Sequence, residues 1–389
     1  MLASPGWLIL WPFGFLITFV EPMSAPSSLR ILHVSSPLSW RGGEQQVHYL
    51  YTNLMKMGCI QRVFCPVGSE LSKRVAADDV IPYKKRSGFD VWAARKLTGS
   101  IKHYQPDVIH AHDAHAHTTA VLAATLFGMS TPVILSRRVD FHVGRSWFSR
   151  FKYTHQSIRA IVCVSQAIEE MVRTDLDSPS HPFITTVHSG VDLGRFDHIN
   201  KGKLRSELGI DDDVFLVGNV AALADHKDYP TFLRTAQQLQ DERDIRFVII
   251  GTGPMEEEIK QMAVELNVTD RVTFLGFRTD LQALFADLDV FLFPSKTEGL
   301  GTSVLDALGY GVPVVATRAG GIPEIIDHDV NGLLADVGDH EQLAHFIQQL
   351  KADAAKRTDL IRAGREKLKQ FSHEQTAQNT FGIYQKILV

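Results

Sequence analysis

The sequence predicts an α/β protein built from two doubly wound parallel-sheet domains that face each other across a cleft. From Leu29 onwards, short apolar runs alternate with longer amphipathic segments, which is typical of repeated strand and helix units. The alternation restarts after residues 185–203, a polar stretch with several glycines that is typical of a linker. At 389 residues the chain is too long for one hydrophobic core, and about two domains are expected.

The first domain is predicted to span residues 29–195. Its strands are expected where β-branched and other apolar residues form short runs that end in polar turns. These runs are RILHVSS, RVFCPV, DVIHAH, PVILS and AIVCVS, and the helices between them are expected at about residues 45–57, 91–103, 118–127 and 147–157.

The second domain is predicted to span residues 196–370 by the same reasoning. Its strands are expected at VFLVGNVA, RFVIIG, VTFLG, VFLFPS, PVVAT and GLLAD. Residues 371–389 carry aromatic side chains at helical spacing, which predicts a final helix that packs across the domain junction. In such folds ligands bind at the carboxyl ends of the strands, so the site is expected in the cleft.

Residues 1–28 form an apolar segment ahead of the first strand. Residues 1–20 carry no charge, but Pro12 and Gly14 interrupt the densest apolar run, and no positively charged start precedes it. A signal-anchor, an interfacial anchor and upstream sequence translated from a start codon assigned too early are the three interpretations. We favour the last, because the sequence from Met23 resembles the start of a cytosolic enzyme. The expected location is cytoplasmic, with the inner face of the membrane as the alternative.

The overall composition excludes several classes of protein. With 44% hydrophobic and 22% charged residues, neither a disordered chain nor a multi-span membrane protein is indicated. A net charge of -4 gives no general attraction to nucleic acid. The three cysteines have no metal-ligand spacing and fit a reducing compartment.

The stretch TEGLGTSVLD, residues 297–306, places Glu298 on a loop after a buried strand and Asp306 in the following helix. The glycines allow a ligand close to the backbone, and the free amides at the helix start form an anion site: Gly301, Thr302 and Ser303. Carboxylates repel phosphate, so the two acids are expected to accept hydrogen bonds from two sugars on either side of a diphosphate. Alternatively, Glu298 is a solvated loop acid and Asp306 pairs with a nearby base.

Two further stretches in the first domain carry candidate residues. HAHDAHAH, residues 110–117, contains four histidines that could bind a metal or sugar hydroxyls. We expect no metal, because no carboxylate or cysteine pattern completes the set. Arg137 and Arg138 follow a predicted strand and are either a solvated basic face or a site for an acceptor phosphate.

In the second domain, candidate residues follow three predicted strands. Lys227 is either a surface lysine or a cation that neutralises a leaving diphosphate. Gly251 and Gly253 form a nucleotide-binding type of turn, although the full dinucleotide fingerprint is missing. Phe277 and Arg278 lie where a base could be stacked or hydrogen-bonded.

Taken together, these motifs resemble the retaining glycosyltransferases of family 4, also called group 1, which have the GT-B fold. The motifs are GGE, VIHAH, HSGVD, a lysine after the first strand of the second domain, GTGP, LGF, PSKTEGLGTSVLDAL and ATRAGGIPEII. The resemblance covers nearly all of the chain from about Leu29. It implies an acceptor-binding first domain, a second domain that binds a nucleotide-sugar donor, and retention of anomeric configuration without a metal ion or other cofactor.

The resemblance also implies roles for individual residues. Glu298 matches the first acid of the family's paired-acid motif, near hydroxyls of the donor sugar, and Asp306 matches the second acid, on the ribose. Lys227 matches the phosphate-binding lysine. His112 matches a histidine near the reacting sugar, and Gly43 a loop glycine near the phosphates. The amides of residues 301–303 match those that hold the diphosphate.

The sequence departs from the family pattern at two positions. Asp306 replaces the usual glutamate, so its reach is shorter by one methylene group. Ala222 lies five positions before Lys227, where the family commonly has an arginine. The loss of this cation puts stabilisation of the leaving group in doubt, unless Arg278, Arg318 or an arginine of the first domain substitutes.

The implied function is transfer of a sugar to a hydroxyl of a glycan or lipid-linked acceptor, in the synthesis of cell-surface polysaccharide or lipopolysaccharide. Peripheral membrane association is compatible with it, and nucleic acid is not an expected partner. Two alternatives are a nucleotide-sugar epimerase on the same fold and a sugar-nucleotide-binding protein without activity. Product analysis without acceptor separates the epimerase, and donor binding without turnover identifies the binding protein.

Overall fold

The computed structural model describes residues 29–86, 89–144, 146–176, 182–197 and 201–389. The predicted N-terminal segment 1–28, with its possible anchor, lies outside these ranges. Within them the chain forms two parallel sheets, and the sheets fall on either side of residue 195. No helix in the described part of the chain is long and apolar enough to cross a membrane.

The first sheet has the strand order β3-β2-β1-β4-β5-β6-β7, with parallel pairing throughout. Its strands are β1 Arg30–Val34, β2 Ile60–Pro66, β3 Val80–Tyr83, β4 Val108–Ala111, β5 Val133–Arg137, β6 Ile158–Cys163 and β7 Phe183–Thr186. The helices that connect them are α1 Gly42–Lys56, α2 Val91–Tyr104, α3 Ala114–Phe127, α4 Trp147–Thr154 and α5 Gln166–Leu176.

The second sheet has the order β10-β9-β8-β11-β12-β13 and is also parallel. Its strands are β8 Phe215–Val220, β9 Ile245–Ile250, β10 Val272–Phe274, β11 Val290–Phe293, β12 Val314–Thr317 and β13 Leu333–Ala335. Its helices are α6 Lys203–Leu208, α7 Tyr229–Gln238, α8 Glu256–Glu265, α9 Leu281–Ala286, α10 Thr302–Tyr310, α11 Ile322–Ile325, α12 His340–Ala352 and α13 Ala354–Leu368.

The central strands β4, β8, β11 and β12 are buried along their whole length, because helices cover both faces of each sheet. This burial explains why these strands are continuous apolar runs in the sequence. Both sheets direct the carboxyl ends of their strands toward the junction of the two domains, which is where loops of both halves meet.

The last helix, α14 His373–Leu388, packs on α1 of the first domain. Tyr384 and Ala377 are fully buried there in one cluster with Leu54. Asn53 and the imidazole of His373 are 2.6 Å apart, which adds a polar contact. The chain therefore returns to the first domain after it completes the second.

The structure differs from the predicted elements at several positions. β3 and β7 were not predicted as strands, and both lie at the edges of the first sheet. α1 begins at Gly42 rather than near Gln45, so the glycine pair lies in its first turn. α3 begins at Ala114 rather than Thr118, because the Asp113 side chain caps the amides of the next turn.

Candidate functional site

A cavity of about 160 Å³ lies between the two domains. The first domain contributes residues around the start of α1 and the ends of β5 and β6, and the second contributes the loop between β11 and α10. The lining residues are Gly42, Gly43, Gln46, Arg138, Val164, Ser189 and residues 298–302. The N-termini of α1 and α10 thus open on one cavity. Helix dipoles favour an anion at both N-termini. The start of α10 has no side-chain cap, whereas the start of α1 already holds the Glu44 carboxylate, which accepts from the amide of Arg41 at 3.0 Å.

The loop from Glu298 to Gly301 is held by backbone contacts that only glycine allows. Gly301 caps α10 with φ 93°, a left-handed conformation. A Cβ atom at Gly320, which has φ 49°, would overlap the carbonyl oxygen of Glu298. The amide of Gly321 donates to the same carbonyl at 3.1 Å. The loop after β12 therefore fixes the loop that carries the predicted diphosphate amides.

The first domain also contacts this loop directly. A Cβ atom at Gly299 would overlap the carbonyl oxygen of Arg138, which follows β5. The two backbones are therefore in contact, and a larger residue at position 299 would separate the domains. Packing between the two domains is therefore sufficient to explain a glycine at position 299, whether or not a ligand also approaches it.

Lys227 and Glu298, both predicted as site residues, form an ion pair. Their side chains are 13% and 14% exposed, so the pair is largely shielded from water. The ammonium group lies 4.8 Å from the centre of the Phe293 ring at the end of β11. The structure therefore brings the lysine and the acid together at one edge of the second sheet, on top of an aromatic side chain.

Asp306 forms an ion pair with Arg195, which lies in a short 3-10 turn between the domains. This is the alternative that the sequence left open, in which Asp306 pairs with a nearby base. The predicted contact with a ribose stays a prediction, and Arg195 is the group with which a ribose would compete. Ser303 lies in the first turn of α10 and is half-buried.

Gly251 and Gly253 pack against the backbone ahead of Lys227. Cβ atoms at these positions would overlap the carbonyl oxygens of Ala221 and Leu223. Close packing of two loops therefore explains both glycines, and a direct role in nucleotide binding stays a prediction.

Phe277 and Arg278 are not among the residues that line the cleft cavity. The Phe277 side chain is exposed, and Arg278 binds the carboxylates of Glu207 and Asp280. The predicted contact with a nucleobase stays a prediction. It would require the base to stack on the exposed Phe277 ring, beside an Arg278 that already binds two carboxylates.

A larger cavity of about 390 Å³ lies within the first domain, beside the cleft. It is lined by the ends of β4 and β5 and by the start of α1. The predicted residues Gly43, His112, Arg137 and Arg138 line it together with Glu44. Gly43 and Arg138 line both cavities, so the two cavities adjoin.

The two arginines of this cavity differ in their partners. Arg137 donates to the hydroxyl of Tyr153 at 2.7 Å and to the carbonyl of Phe141. Arg138 donates to the hydroxyl of Ser189 at 3.3 Å, and no carboxylate of the described residues lies within ion-pair distance of it. In both side chains Nε is enclosed and has no hydrogen-bond partner.

His33, His110 and His112 have ring nitrogens within 4.8 Å of one another and are all buried. His33 and His110 are partners in the register of β1 and β4, which explains their proximity. His110 binds the hydroxyls of Tyr384 and Ser136 at 2.6 and 2.8 Å. The ring nitrogens of this cluster are thus occupied by hydrogen bonds, except for Nδ1 of His112.

A chain of hydrogen bonds assigns the tautomer of His112. Gln61 donates its amide N–H to the carbonyl of Tyr51 at 2.9 Å, so its Oε1 faces His33 and accepts from Nε2 at 2.9 Å. The neutral ring of His33 then accepts at Nδ1 from Nε2 of His112, 2.9 Å away. Nδ1 of His112 is left as an acceptor without a partner.

Burial sets the protonation of these groups. Burial lowers the pKa of His33 to about 4, against the opposing hydrogen bond to Gln61. It lowers the pKa values of His110 and His112 well below 6.5, helped by the neighbouring histidines and Arg138. Burial also lowers the pKa of Arg138 to about 10, so this guanidinium stays charged near neutral pH.

Sequence reasoning missed four residues of the site. Glu44 was quoted only as part of the GGE motif, and burial raises the pKa of its carboxyl. His33, Gln61 and Arg195 were not singled out. For His33 and Gln61 the sequence did offer a clue, because both are polar residues within apolar strands and buried polar groups need hydrogen-bond partners.

Two family descriptions match the chain. Residues 200–367 match "Glycosyl transferases group 1", and residues 40–195 match "Glycosyltransferase Family 4". N-acetyl-alpha-D-glucosaminyl L-malate synthase of Bacillus anthracis is 27% identical over 310 residues, 77% of this chain and 80% of that protein. The lipopolysaccharide core biosynthesis glycosyltransferase LpsE of Rhizobium meliloti is 30% identical over 241 residues, 62% of this chain and 66% of that protein.

Among solved structures, HepE of Anabaena in complex with UDP has a TM-score of 0.78 at 19% identity, covering 92% of this chain and 100% of HepE. At this identity the likeness shows the fold, which is GT-B. Two parallel-sheet, Rossmann-like domains with this likeness define the GT-B class of fold. The chain belongs to glycosyltransferase family 4, the group 1 transferases.

Proposed function

We propose that this protein is a retaining, metal-independent glycosyltransferase that uses a nucleoside diphosphate sugar as donor. The acceptor is a hydroxyl of a phosphate-bearing glycan or lipid-linked sugar, and the setting is the synthesis of cell-surface polysaccharide or lipopolysaccharide.

The observation that supports the proposal is the cavity in the cleft and the groups that line it. The N-termini of α1 and α10 open on one cavity, and Lys227 lies at its edge beside Glu298. A diphosphate fits this set, because amide groups, helix dipoles and an ammonium group all favour negative charge. HepE, which shares the fold, has been solved with UDP and with UDP-glucose.

Retention is supported by how the polar groups beside the larger cavity are used. Nδ1 of His112 is an open acceptor, but burial holds its pKa well below 6.5, which makes it a poor proton acceptor. Asp113 is occupied by the amides of His115 and Ala116 and by Ser36. Glu44 also lines the cavity, and its carboxylate accepts from the amide of Arg41 at 3.0 Å. We assign the acceptor proton to the leaving phosphate, which requires attack on the same face of the sugar.

Independence from a metal is supported by the hydrogen bonds that already occupy most ring nitrogens of the histidine cluster. A metal would have to break the bonds from His33 to Gln61 and His112, or those from His110 to Tyr384 and Ser136. In the cleft, the charge that a metal would supply comes from Lys227 and the helix amides.

The anionic acceptor is supported by the larger cavity. Arg137 lines it, and no carboxylate of the described residues lies within ion-pair distance of its guanidinium, so this charge favours an anion in the cavity. LpsE is named for lipopolysaccharide core biosynthesis, in which acceptors are large glycans. Close to this domain's basic residues, Phe89, Trp92, Phe141 and Trp147 are exposed, which suits an acceptor anchored in a membrane.

Thermal unfolding of the full chain with a panel of nucleoside diphosphate sugars tests the proposal. A donor at 100 times its Kd stabilises the folded state by about 2.7 kcal/mol. We expect one donor to raise Tm equally with and without a chelator. Arg159→Gln, a change at an exposed residue of β6, is the matched control and should respond as the wild type does. No response to any donor, or a response that the chelator abolishes, contradicts the proposal.

A vesicle assay tests the membrane setting. The wild type is expected to sediment with vesicles that contain phosphatidylglycerol more than with pure phosphatidylcholine. A double variant, Trp92→Ala with Trp147→Ala, keeps residues 1–28 and is expected to bind less. Equal binding of the variant and the wild type would contradict a role for these exposed aromatics.

A further inference from the structure

The family pattern places two cations against the leaving diphosphate, but this chain has Ala222 where the arginine is expected. Ala222 lies in the loop after β8 and its side chain is exposed. Only Lys227 of the usual pair is present, and it is already paired with Glu298. Departure of a diphosphate therefore needs a second positive charge from elsewhere in the chain.

The arginines of the second domain are committed to other partners. Arg278 binds the carboxylates of Glu207 and Asp280, and it does not line the cleft cavity. Arg318 is 44% exposed and faces Asp336, with Nε 3.8 Å from the carboxylate. Neither side chain lines the cavity at the start of α10.

Arg138 of the first domain is placed there. It lines the cleft cavity together with residues 298–302, whose amides form the start of α10. Its backbone carbonyl lies against Gly299, so the position of the residue is fixed relative to this loop. Its Nε is enclosed without a partner. The side chain thus places a guanidinium charge beside the predicted diphosphate position.

The neighbours of Arg138 leave this charge available. Its hydrogen bond to Ser189 is 3.3 Å long, and the hydroxyl is neutral. Glu44 is the acid whose charge acts on it, but no described carboxylate is within ion-pair distance. A buried cation without a counter-ion is costly, and a bound anion removes that cost.

We propose that Arg138 replaces the missing cation and donates hydrogen bonds to the leaving diphosphate from across the cleft. The inference rests on the proposed donor class, and it moves Arg138 from the acceptor phosphate to the leaving group. The bond between the sugar C1 and the phosphate oxygen breaks, and its electron pair stays on that oxygen. The acceptor oxygen forms the new bond to C1, and its proton passes to the phosphate. Arg138 keeps its protons throughout.

This arrangement makes catalysis depend on closure of the two domains. In the usual pattern both cations belong to the donor domain, whereas here one of them comes from the acceptor domain. The diphosphate then receives its full complement of charge only when Arg138 contacts the loop at Gly299. A donor bound to an open form would be held by Lys227 and the amides alone.

The test compares Arg138→Gln with the wild type, using the donor that the panel identifies. Calorimetry measures Kd for the nucleoside diphosphate and for the monophosphate, and donor hydrolysis without acceptor gives kcat/KM. We expect a loss in kcat/KM of roughly 100-fold or more, as for loss of one oxyanion donor. Diphosphate affinity should fall about 10-fold or more, as expected for a lost charged hydrogen bond, while monophosphate affinity stays within about twofold.

A second variant separates a functional loss from misfolding. Ala222→Arg, added to Arg138→Gln, restores a cation at the position usual for the family. It is expected to recover at least about tenfold in kcat/KM, which a general folding defect would not allow. Monophosphate binding and Tm show that each variant is folded. Arg159→Gln is the matched surface control, and Arg318→Gln tests the competing arginine.

Several outcomes would overturn the inference. One is an Arg138→Gln enzyme with unchanged diphosphate affinity and donor hydrolysis but a raised KM for acceptor, which would return Arg138 to the acceptor site. Another is a large loss in Arg318→Gln with none in Arg138→Gln. If the wild type binds no nucleoside diphosphate, the proposed donor class fails instead, and that failure is visible before any variant is made.

Discussion

Acidification between pH 7.5 and 5.5 is predicted to destabilise the first domain strongly, because it holds four buried neutral histidines. His33, His110, His112 and His117 are all at most 5% exposed. Burial lowers the pKa of His33 to about 4 and that of His117 to about 3, and it holds the pKa values of His110 and His112 well below 6.5.

The lowered pKa values determine how the free energy of unfolding changes with pH. In the unfolded chain each histidine binds a proton as pH falls through about 6.5, whereas the folded state excludes it. The stability is therefore fully present above pH 6.5 and is lost as pH falls below it. At pH 5.5 each histidine costs about 1.4 kcal/mol, and the four together cost about 5.6 kcal/mol. Total stabilities of about 5–15 kcal/mol make this a large fraction.

Urea unfolding followed by tryptophan fluorescence measures this loss. All five tryptophans lie within the first 147 residues, so the signal reports on the N-terminal half. His117→Gln is the matched variant, because glutamine can still donate to the carbonyl of Lys152, as His117 does at 2.9 Å. It should reduce the pH-dependent loss by about 1.4 kcal/mol. A free energy of unfolding that changes by less than about 1 kcal/mol between these pH values would refute the reasoning.

Three further predictions concern the cleft. Lys227→Ala should lower kcat/KM by roughly 30- to 1000-fold, since loss of one oxyanion donor costs about 2–4 kcal/mol; steady-state kinetics check this against Lys260→Ala, a surface control. Unchanged turnover would remove Lys227 from the mechanism. Gly320→Ala should lower Tm and abolish stabilisation by donor, because the backbone has φ 49° and the added Cβ would overlap the Glu298 carbonyl. Calorimetry measures both quantities, and a variant with the Tm and donor response of the wild type would disprove this packing. Glu324→Gln should weaken closure and lower donor affinity about 10-fold, because the carboxylate accepts from two amides at the start of α5 and contacts His188 at 2.7 Å across the junction. Small-angle scattering should show a more open average shape, and an unchanged profile with unchanged affinity would count against this contact.

Much of the fold could be predicted because central parallel strands are buried on both faces and appear as apolar runs. β3 and β7 were missed because they are edge strands with few buried residues. β3 contains Pro82, which argues against a strand within a sheet, and the second half of β7 lies within residues 185–203, which were predicted as a linker. The start of α3 at Ala114 could have been predicted from the sequence, since Asp113 is a favourable N-cap residue.

The candidate site could be predicted where its residues belong to one loop. Glu298 and the amides of residues 301–303 lie on one strand-to-helix turn, so local sequence was sufficient. The pairing of Asp306 with Arg195 joins positions more than 100 residues apart, and periodicity carries no signal for it. The same is true of Arg138, whose position at the cleft depends on how the two domains meet.

The stereochemistry of donor cleavage distinguishes a retaining transferase from an inverting one. Water can serve as the acceptor, so the measurement does not depend on the identity of the natural acceptor. Proton NMR in the presence of a chelator, recorded before the released sugar mutarotates, identifies the first anomer formed. We expect the released sugar to keep the configuration of the donor, which is the α-anomer from an α-linked donor. Release of the opposite anomer, or cleavage only after a divalent metal is added, would contradict a retaining, metal-independent transferase.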